Sequence, residues 1–468
     1  MNSMSAKITK NIKKNIFLSE SIGKIVSKLE AGEITSHEIA EACIERIKLY
    51  NEFSKVWVTY DESVLMKQAD QSAAKIKAGR KAGKLESIPV GVKDIFNTSE
   101  YPTQMGSPLW KGFTPGNDAR EVYYLKKEGA LIPGKTDTAE FAVHQIGNCV
   151  NPYDITRTPG TSSSGSAVAV SLGMVPAAIG TQTAGSIVRP ASFCGVYGCK
   201  PSFGLLPRTG MLKTTDTLDT IGFFTAMYED LRLMFDVLRV HGSNYPISHN
   251  ALSDELRQNK KNGSPWKVAF VKTHTWDDAY DYSKSAIENF VAKISRKNEI
   301  EVTEAILPEV LATSHEVHQT IYDKTLSYYF QEESLKSEQV SDIMNEIVAR
   351  GNKISANEYS QALENQNRII NEMDDFFEEY DVIISLSTAG EAPLREEMEK
   401  PDPALMWTLS HLPVISCPAF ASNEGLPFGL QIASRKYNDI KLFRFADHLL
   451  ELNLIPEGAN PLPPEPEE

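Results

Sequence analysis

Behind Thr35, apolar residues recur at helical spacing: Ile39, Cys43, Ile44 and Ile47 fall on one face, and Thr35 with Glu38 forms a capping box ahead of them. The pattern predicts a helix over residues 36–50, with Gly32 closing a shorter helix before it. The period then changes. Ile88-Pro89-Val90-Gly91-Val92-Lys93-Asp94 is a short apolar run rich in β-branched residues, which predicts a buried strand ending on a charged pair. Residues 119–128 predict a helix begun by Asp118 and stopped at Gly129, and residues 130–135 predict a second strand. Beyond residue 260 the alternation resumes, with strands at 266–271, 381–386 and 428–432 and helices at 284–296 and 438–451. Strands spaced by helices imply an α/β fold with a mostly parallel or mixed central sheet covered on both faces.

Composition keeps this reading inside the globular class. Apolar residues make up 41% of the 468 and charged residues 24%, enough for a sizeable core. We expect a single domain over residues 17–452. A basic arm at 1–16 carrying Lys7, Lys10, Lys13 and Lys14 precedes it, and a Pro- and Glu-rich tail at 453–468 with little to bury follows it. The net charge of −14 argues against a surface built for nucleic acid or for anionic membrane, so the expected partner is a small molecule. No apolar run approaches the roughly 18 residues of a membrane span, and the start of the chain lacks the apolar stretch of a secretory signal. Five scattered cysteines suggest neither a disulfide framework nor a metal cluster; they predict reduced thiols and a cytoplasmic location.

From Thr158 to Gly210 the composition shifts to Gly, Ser, Thr and Ala, interrupted by apolar strings such as 167–170 and 175–179 that a linker would not contain. Two small-residue loops stand out, Thr158-Pro-Gly-Thr-Ser-Ser-Ser-Gly-Ser166 and Gly180-Thr-Gln-Thr-Ala-Gly-Ser186. Such loops expose backbone N–H groups, which suits a bound phosphate or a developing oxyanion, and they also suit tight turns that pack helices closely on a sheet. Neither loop meets the phosphate-binding or dinucleotide-binding pattern. Among nine histidines there is no GxSxG elbow and no HExxH, so a hydrolase here needs another base. A buried lysine has its pKa lowered by desolvation and can accept a proton from a hydroxyl. Lys93, at the end of an apolar strand, fits that requirement, although a lysine at a strand end also fits a solvated, snorkelling side chain.

Taken together, Gly91-Val92-Lys93-Asp94, Lys135-Thr-Asp-Thr-Ala-Glu-Phe-Ala142, the Ser-rich loop, Gly180 to Pro190 and Cys194-Gly-Val-Tyr-Gly-Cys-Lys-Pro201 resemble the motifs of the amidase signature family in their family order. The resemblance covers nearly the whole chain. It implies the amidase signature fold, hydrolysis of a small amide without metal or cofactor, and a Ser-Ser-Lys triad. Ser186 is the implied nucleophile, Ser162 the bridging serine on a cis peptide bond, and Lys93 the base. The backbone N–H groups of Thr183, Ala184, Gly185 and Ser186 are the implied oxyanion hole, with Ser163 supporting the relay. A homodimer is a family-level expectation.

Departures bear on substrate. Many relatives carry Asp-Thr-Gly-Gly-Ser, where this chain has Gln182 and Ala184, with an arginine three residues beyond the serine at Arg189. That difference weighs against a glutamine-hydrolysing amidotransferase subunit. Arg189 resembles the position that grips a substrate carboxylate in malonamidase-like relatives, and it equally suits a brace that hydrogen-bonds loop carbonyls. Gln182, Arg189 and Met105, with residues 315–330 and 386–393, are the candidate substrate contacts. A non-catalytic binding protein of the same family, and a nucleotide-binding protein using the Gly-rich loop, are the rival readings.

Overall fold

The computed structural model describes residues 15–260 and 263–460. Its strands are β1 (Trp57–Tyr60), β2 (Val90–Lys93), β3 (Gly134–Thr136), β4 (Ala177–Gln182), β5 (Tyr197–Lys200), β6 (Thr220–Thr225), β7 (Trp266–Phe270), β8 (Ile300–Glu304), β9 (Val382–Leu386), β10 (Val414–Ala421) and β11 (Pro427–Ser434). They form one 11-stranded sheet in the order β1-β3-β2-β4-β6-β5-β10-β11-β9-β7-β8. Parallel pairing joins β2 to β3 and β4, and β7 to β8 and β9, while the middle of the sheet is antiparallel. This is the mixed α/β sheet that the alternation predicts.

Burial explains why some strands read as continuous apolar runs. Every residue of β2, β4, β5, β6, β9 and β11 is buried, whereas the outer strands β1 and β8 include exposed positions. The Thr35 capping box forms as expected, on a helix that runs Ser36–Ser54 and stops where Lys55 turns left-handed at φ 53°. Asp118 does not cap the helix Arg120–Lys127; its carboxylate instead takes the Ser99 N–H and pairs with Lys126. The second predicted strand contracts to β3 because Leu131 makes only an isolated bridge to Pro89.

The small-residue region is tight packing around the site. Helix α1 (Ser164–Ser171) is buried on every side, and its Ser166 hydroxyl donates to the Ile179 carbonyl of β4 at 2.9 Å. A second buried helix, α2 (Val188–Phe193), presses Ala191 so close to β5 that a Cβ on Gly198 would stand 2.6 Å from its methyl.

Of the predicted basic arm, residues 1–14 lie outside the described residues. Asn15 caps the short helix Ile16–Ser19, whose Phe17 is buried. The predicted tail is corrected in its first half. Leu454 and Ile455 are buried, the Tyr197 hydroxyl donates to the Pro456 carbonyl, and the N–H groups of Ala459 and Asn460 donate to Ala226 and Gly195. Residues 461–468 lie outside the described residues. Among the described residues no helix is long and apolar enough to cross a membrane.

Candidate active site

Lys93 is the last residue of β2 and Gln182 the last of its parallel neighbour β4, so both chains leave the sheet at the same edge. Carboxyl ends of adjacent parallel strands are where open α/β sheets carry ligands. The first small-residue loop enters α1 beside Lys93, and the second connects β4 to α2. The motifs therefore meet in space.

Lys93 is wholly buried, with Nζ 2.8 Å from Ser162 Oγ, 3.0 Å from Ser163 Oγ and 3.0 Å from Thr181 Oγ1. Desolvation holds its pKa well below the ordinary lysine range, against a smaller upward pull from the Asp219 carboxylate. Ser163 donates its own proton to the Thr181 carbonyl at 3.0 Å, so toward Lys93 it is an acceptor. The Ser162 hydroxyl has no other hydrogen-bond partner among the described residues, so its proton is free to point at the Lys93 amine when that amine is unprotonated. The neighbouring acid does not compete, because the Asp94 carboxylate pairs with the buried Lys135 at 3.1 Å and receives the Gln104 N–H, while its backbone carbonyl takes the Met105 N–H. The Thr161–Ser162 peptide is cis.

Ser186 is buried between β4 and α2, and its hydroxyl has no hydrogen-bond partner among the described residues. The same holds for the backbone N–H groups of Thr183, Ala184, Gly185 and Ser186. Four consecutive unengaged donors in a buried loop form a ready site for negative charge on an oxygen. The loop is held from behind. Gln182 Oε1 accepts the Ile187 and Val188 N–H groups at 2.8 and 2.9 Å, and its amide donates to Thr408 at 3.0 Å.

The candidate substrate contacts separate. Gln182 is fully buried, and its side chain is engaged inside the loop. Met105 is buried at φ 57° and lines neither of the two cavities beside the loop. Arg189 lines both cavities, and its guanidinium is fully occupied. It donates to the Thr161 carbonyl at 3.0 and 3.3 Å, and Nη1 meets Glu399 at 2.8 Å and Asp402 at 3.3 Å. Residues 315–330 and 386–393 do reach the cavities, through His315, His318 and Tyr322 on one side and Thr388 and Glu391 on the other. The larger cavity, about 1240 Å³, reaches Thr161 and Ala184 at the foot of the two loops.

Sequence reasoning missed Glu399, Asp402 and Thr408, and it placed His318 only within the pocket segment 315–330. The acids sit in a segment with no periodic pattern, and Thr408 lies on a helix that the periodicity did not assign.

The Amidase family model matches residues 38–443. The chain belongs to the amidase family. It is similar to a glutamyl-tRNA(Gln) amidotransferase subunit of Endomicrobium trichonymphae, 28% identical over 92% of this chain and 96% of that one. Among solved structures it resembles the peptide amidase of Stenotrophomonas maltophilia, with a TM-score of 0.81 at 23% identity over 95% of this chain and 99% of that one. It also resembles a 6-aminohexanoate cyclic dimer hydrolase complexed with substrate, with a TM-score of 0.80 at 20% identity over 94% of this chain and 98% of that one. This amidase is an amide-hydrolysing enzyme with the fold of those structures.

Proposed function

We propose that this amidase cleaves the C–N bond of a small amide through an acyl-enzyme on Ser186, with Ser162 as the bridging hydroxyl and Lys93 as the base. Neutral Lys93 takes the Ser162 proton as Ser162 takes that of Ser186, and the Ser186 oxygen attacks the amide carbonyl. The oxyanion is received by the N–H groups of Thr183 to Ser186. The relay then returns the proton to the leaving nitrogen, which departs as ammonia or an amine. Water repeats the attack, releases the carboxylic acid and restores Ser186. The observation that carries this reading is the buried, desolvated Lys93 within hydrogen-bond distance of Ser162.

In the same reading Arg189 braces Thr161, the residue before the bridging serine, and an anionic substrate would have to displace Glu399 or Asp402 to reach it. A second reading has an observation of its own. The amidotransferase chain of Endomicrobium trichonymphae matches 92% of this one, which favours a glutamine-hydrolysing protein that works with partner chains.

One experiment tests both. Ammonia release is measured for the isolated chain with malonamate-like acids, ureido acids, aryl amides, fatty amides and glutamine. Turnover of a small amide other than glutamine supports the first reading, and release from glutamine alone, or only with added partners, supports the second. Ser186→Ala is expected to lower kcat by about 10⁴-fold or more, and Lys93→Ala by about 10²–10⁴-fold, each with an unchanged melting transition. Wild-type-like turnover in either variant would sink the triad.

A further inference from the structure

Oxyanion donors work only if their N–H bonds point at the place where charge develops. In the nucleophile loop that direction is set from the opposite side. Apart from Thr161–Ser162 the described peptides around the site are trans, so each carbonyl lies antiparallel to the N–H that follows it. The Thr183 carbonyl lies 2.8 Å from His318 Nε2, on helix α3 (Ser314–Tyr329). The Ala184 carbonyl accepts the Thr408 hydroxyl at 2.6 Å, from helix α4 (Leu405–Leu409). The Gly185 carbonyl accepts the Arg189 N–H at 2.9 Å as α2 begins. All three carbonyls are held, while the N–H groups on the same peptides stay unengaged.

We propose that His318 and Thr408 are positioning residues that aim the Ala184 and Gly185 N–H groups at the oxyanion by fixing the carbonyls behind them. The inference rests on the acyl-enzyme reading and adds two residues to it. A carbonyl oxygen only accepts, so His318 Nε2 carries a proton, and in the neutral ring the opposite nitrogen is then bare. Burial supports that state by lowering the His318 pKa to about 4. The ring is fixed further by stacking on Tyr322, with centroids 5.5 Å apart and planes at 23°. Thr408 is likewise oriented, because its oxygen accepts the Gln182 amide and so has its own proton left for Ala184. Two helices far apart in sequence thereby set one four-residue loop.

Paired substitutions separate aiming from packing. His318→Gln keeps an N–H near the Nε2 position and loses the ring; His318→Phe keeps the ring and loses the donor. With the best amide from the panel, His318→Phe is expected to lose about 10- to 100-fold in kcat, less than the 10²–10³-fold cost of deleting an oxyanion donor outright. KM should stay within about threefold, because the lost contact strengthens only as charge develops. His318→Gln should recover most of kcat. Thr408→Val and Thr408→Ser form the same pair for Ala184 and decide the matter if the His318 variants fail to fold. A Phe variant as active as wild type, or losses carried by Gln and Ser in place of Phe and Val, would overturn the proposal. Ser186→Ala in the same assay keeps the two readings apart: turnover surviving there refutes the serine mechanism, whatever His318 does.

Discussion

With its side chain wholly out of water, Lys93 is held below the ordinary lysine value of 10.5 by desolvation, and the Asp219 charge only partly restores it. In the proposed mechanism Lys93 is the base and works deprotonated, so kcat/KM is expected to rise with pH through the Lys93 pKa and then level off. A depressed pKa moves that rise toward neutrality, well short of 10.5. The expected profile is one acid limb centred below 10.5 and followed by a plateau, read from kcat/KM between about pH 5 and 10. Lys93→Arg, always charged, should abolish turnover at every pH, because a guanidinium cannot accept the proton. An acid limb that stays where it was while Lys93→Arg keeps its activity would show that another group is the base. The burial of Lys93 was legible from the apolar run that ends on it, while the base role came only from the resemblance to the amidase signature motifs. The state of Arg189 was not, because no local pattern places Glu399 and Asp402 against its guanidinium.

Strand β2 places that lysine, and its pairing with β4 depends on a missing side chain. Gly91 faces Ala178 in the parallel register, and a Cβ there would stand 2.9 Å from the Ala178 Cβ and 3.4 Å from Thr136 Cγ2. Gly91→Ala therefore forces β2 away from β4 or distorts β3. The expected cost is about 1–3 kcal/mol of stability, read by denaturant or thermal unfolding. Because Lys93 and the β4–α2 loop sit on the two strands being pushed apart, kcat should fall as well, with the protein still folded at 25 °C. Unchanged Tm and kcat would mean that the sheet absorbs the methyl without moving the site. Elements of this kind were the readable part of the fold. Buried strands such as β2 and β9 and the helix after Thr35 announce themselves through apolar runs and a capping box. The helices 342–353 and 356–376 escaped because their polar surface is wide, although Ser355 and Glu358 repeat the same capping box at the start of the second. Boundaries moved where a residue found a better partner in space, as Asp118 did with Lys126.

Sheet order is a property of the whole molecule that local pattern does not carry. Neighbours such as β5 and β10 are separated by most of the C-terminal half, and their pairing follows from which buried faces fit. The end of the chain is the same case. Its proline and glutamate content reads as a loose tail, yet residues 454–460 lie along the body beside the strand that follows α2. Leu454 and Ile455 are buried there, Gly458 bridges Met227, and the N–H groups of Tyr228, Ala459 and Asn460 are all hydrogen-bonded across that contact. Composition misled because the buried part is two side chains and a short backbone ladder, too little to shift a sixteen-residue average. Each fully buried Leu or Ile contributes about 1.5–3 kcal/mol, and the ladder adds backbone bonds that would otherwise face water. Truncation after Asn453 should therefore lower stability by about 3–6 kcal/mol and expose Tyr197, whose hydroxyl donates to the Pro456 carbonyl at that seam. Thermal unfolding followed by tyrosine absorbance reads both effects. A truncated chain that melts with the full-length protein would mean that these contacts contribute nothing net. A lowered Tm with kcat retained at 25 °C would place the tail in the support of the fold, remote from the chemistry proposed at Ser186.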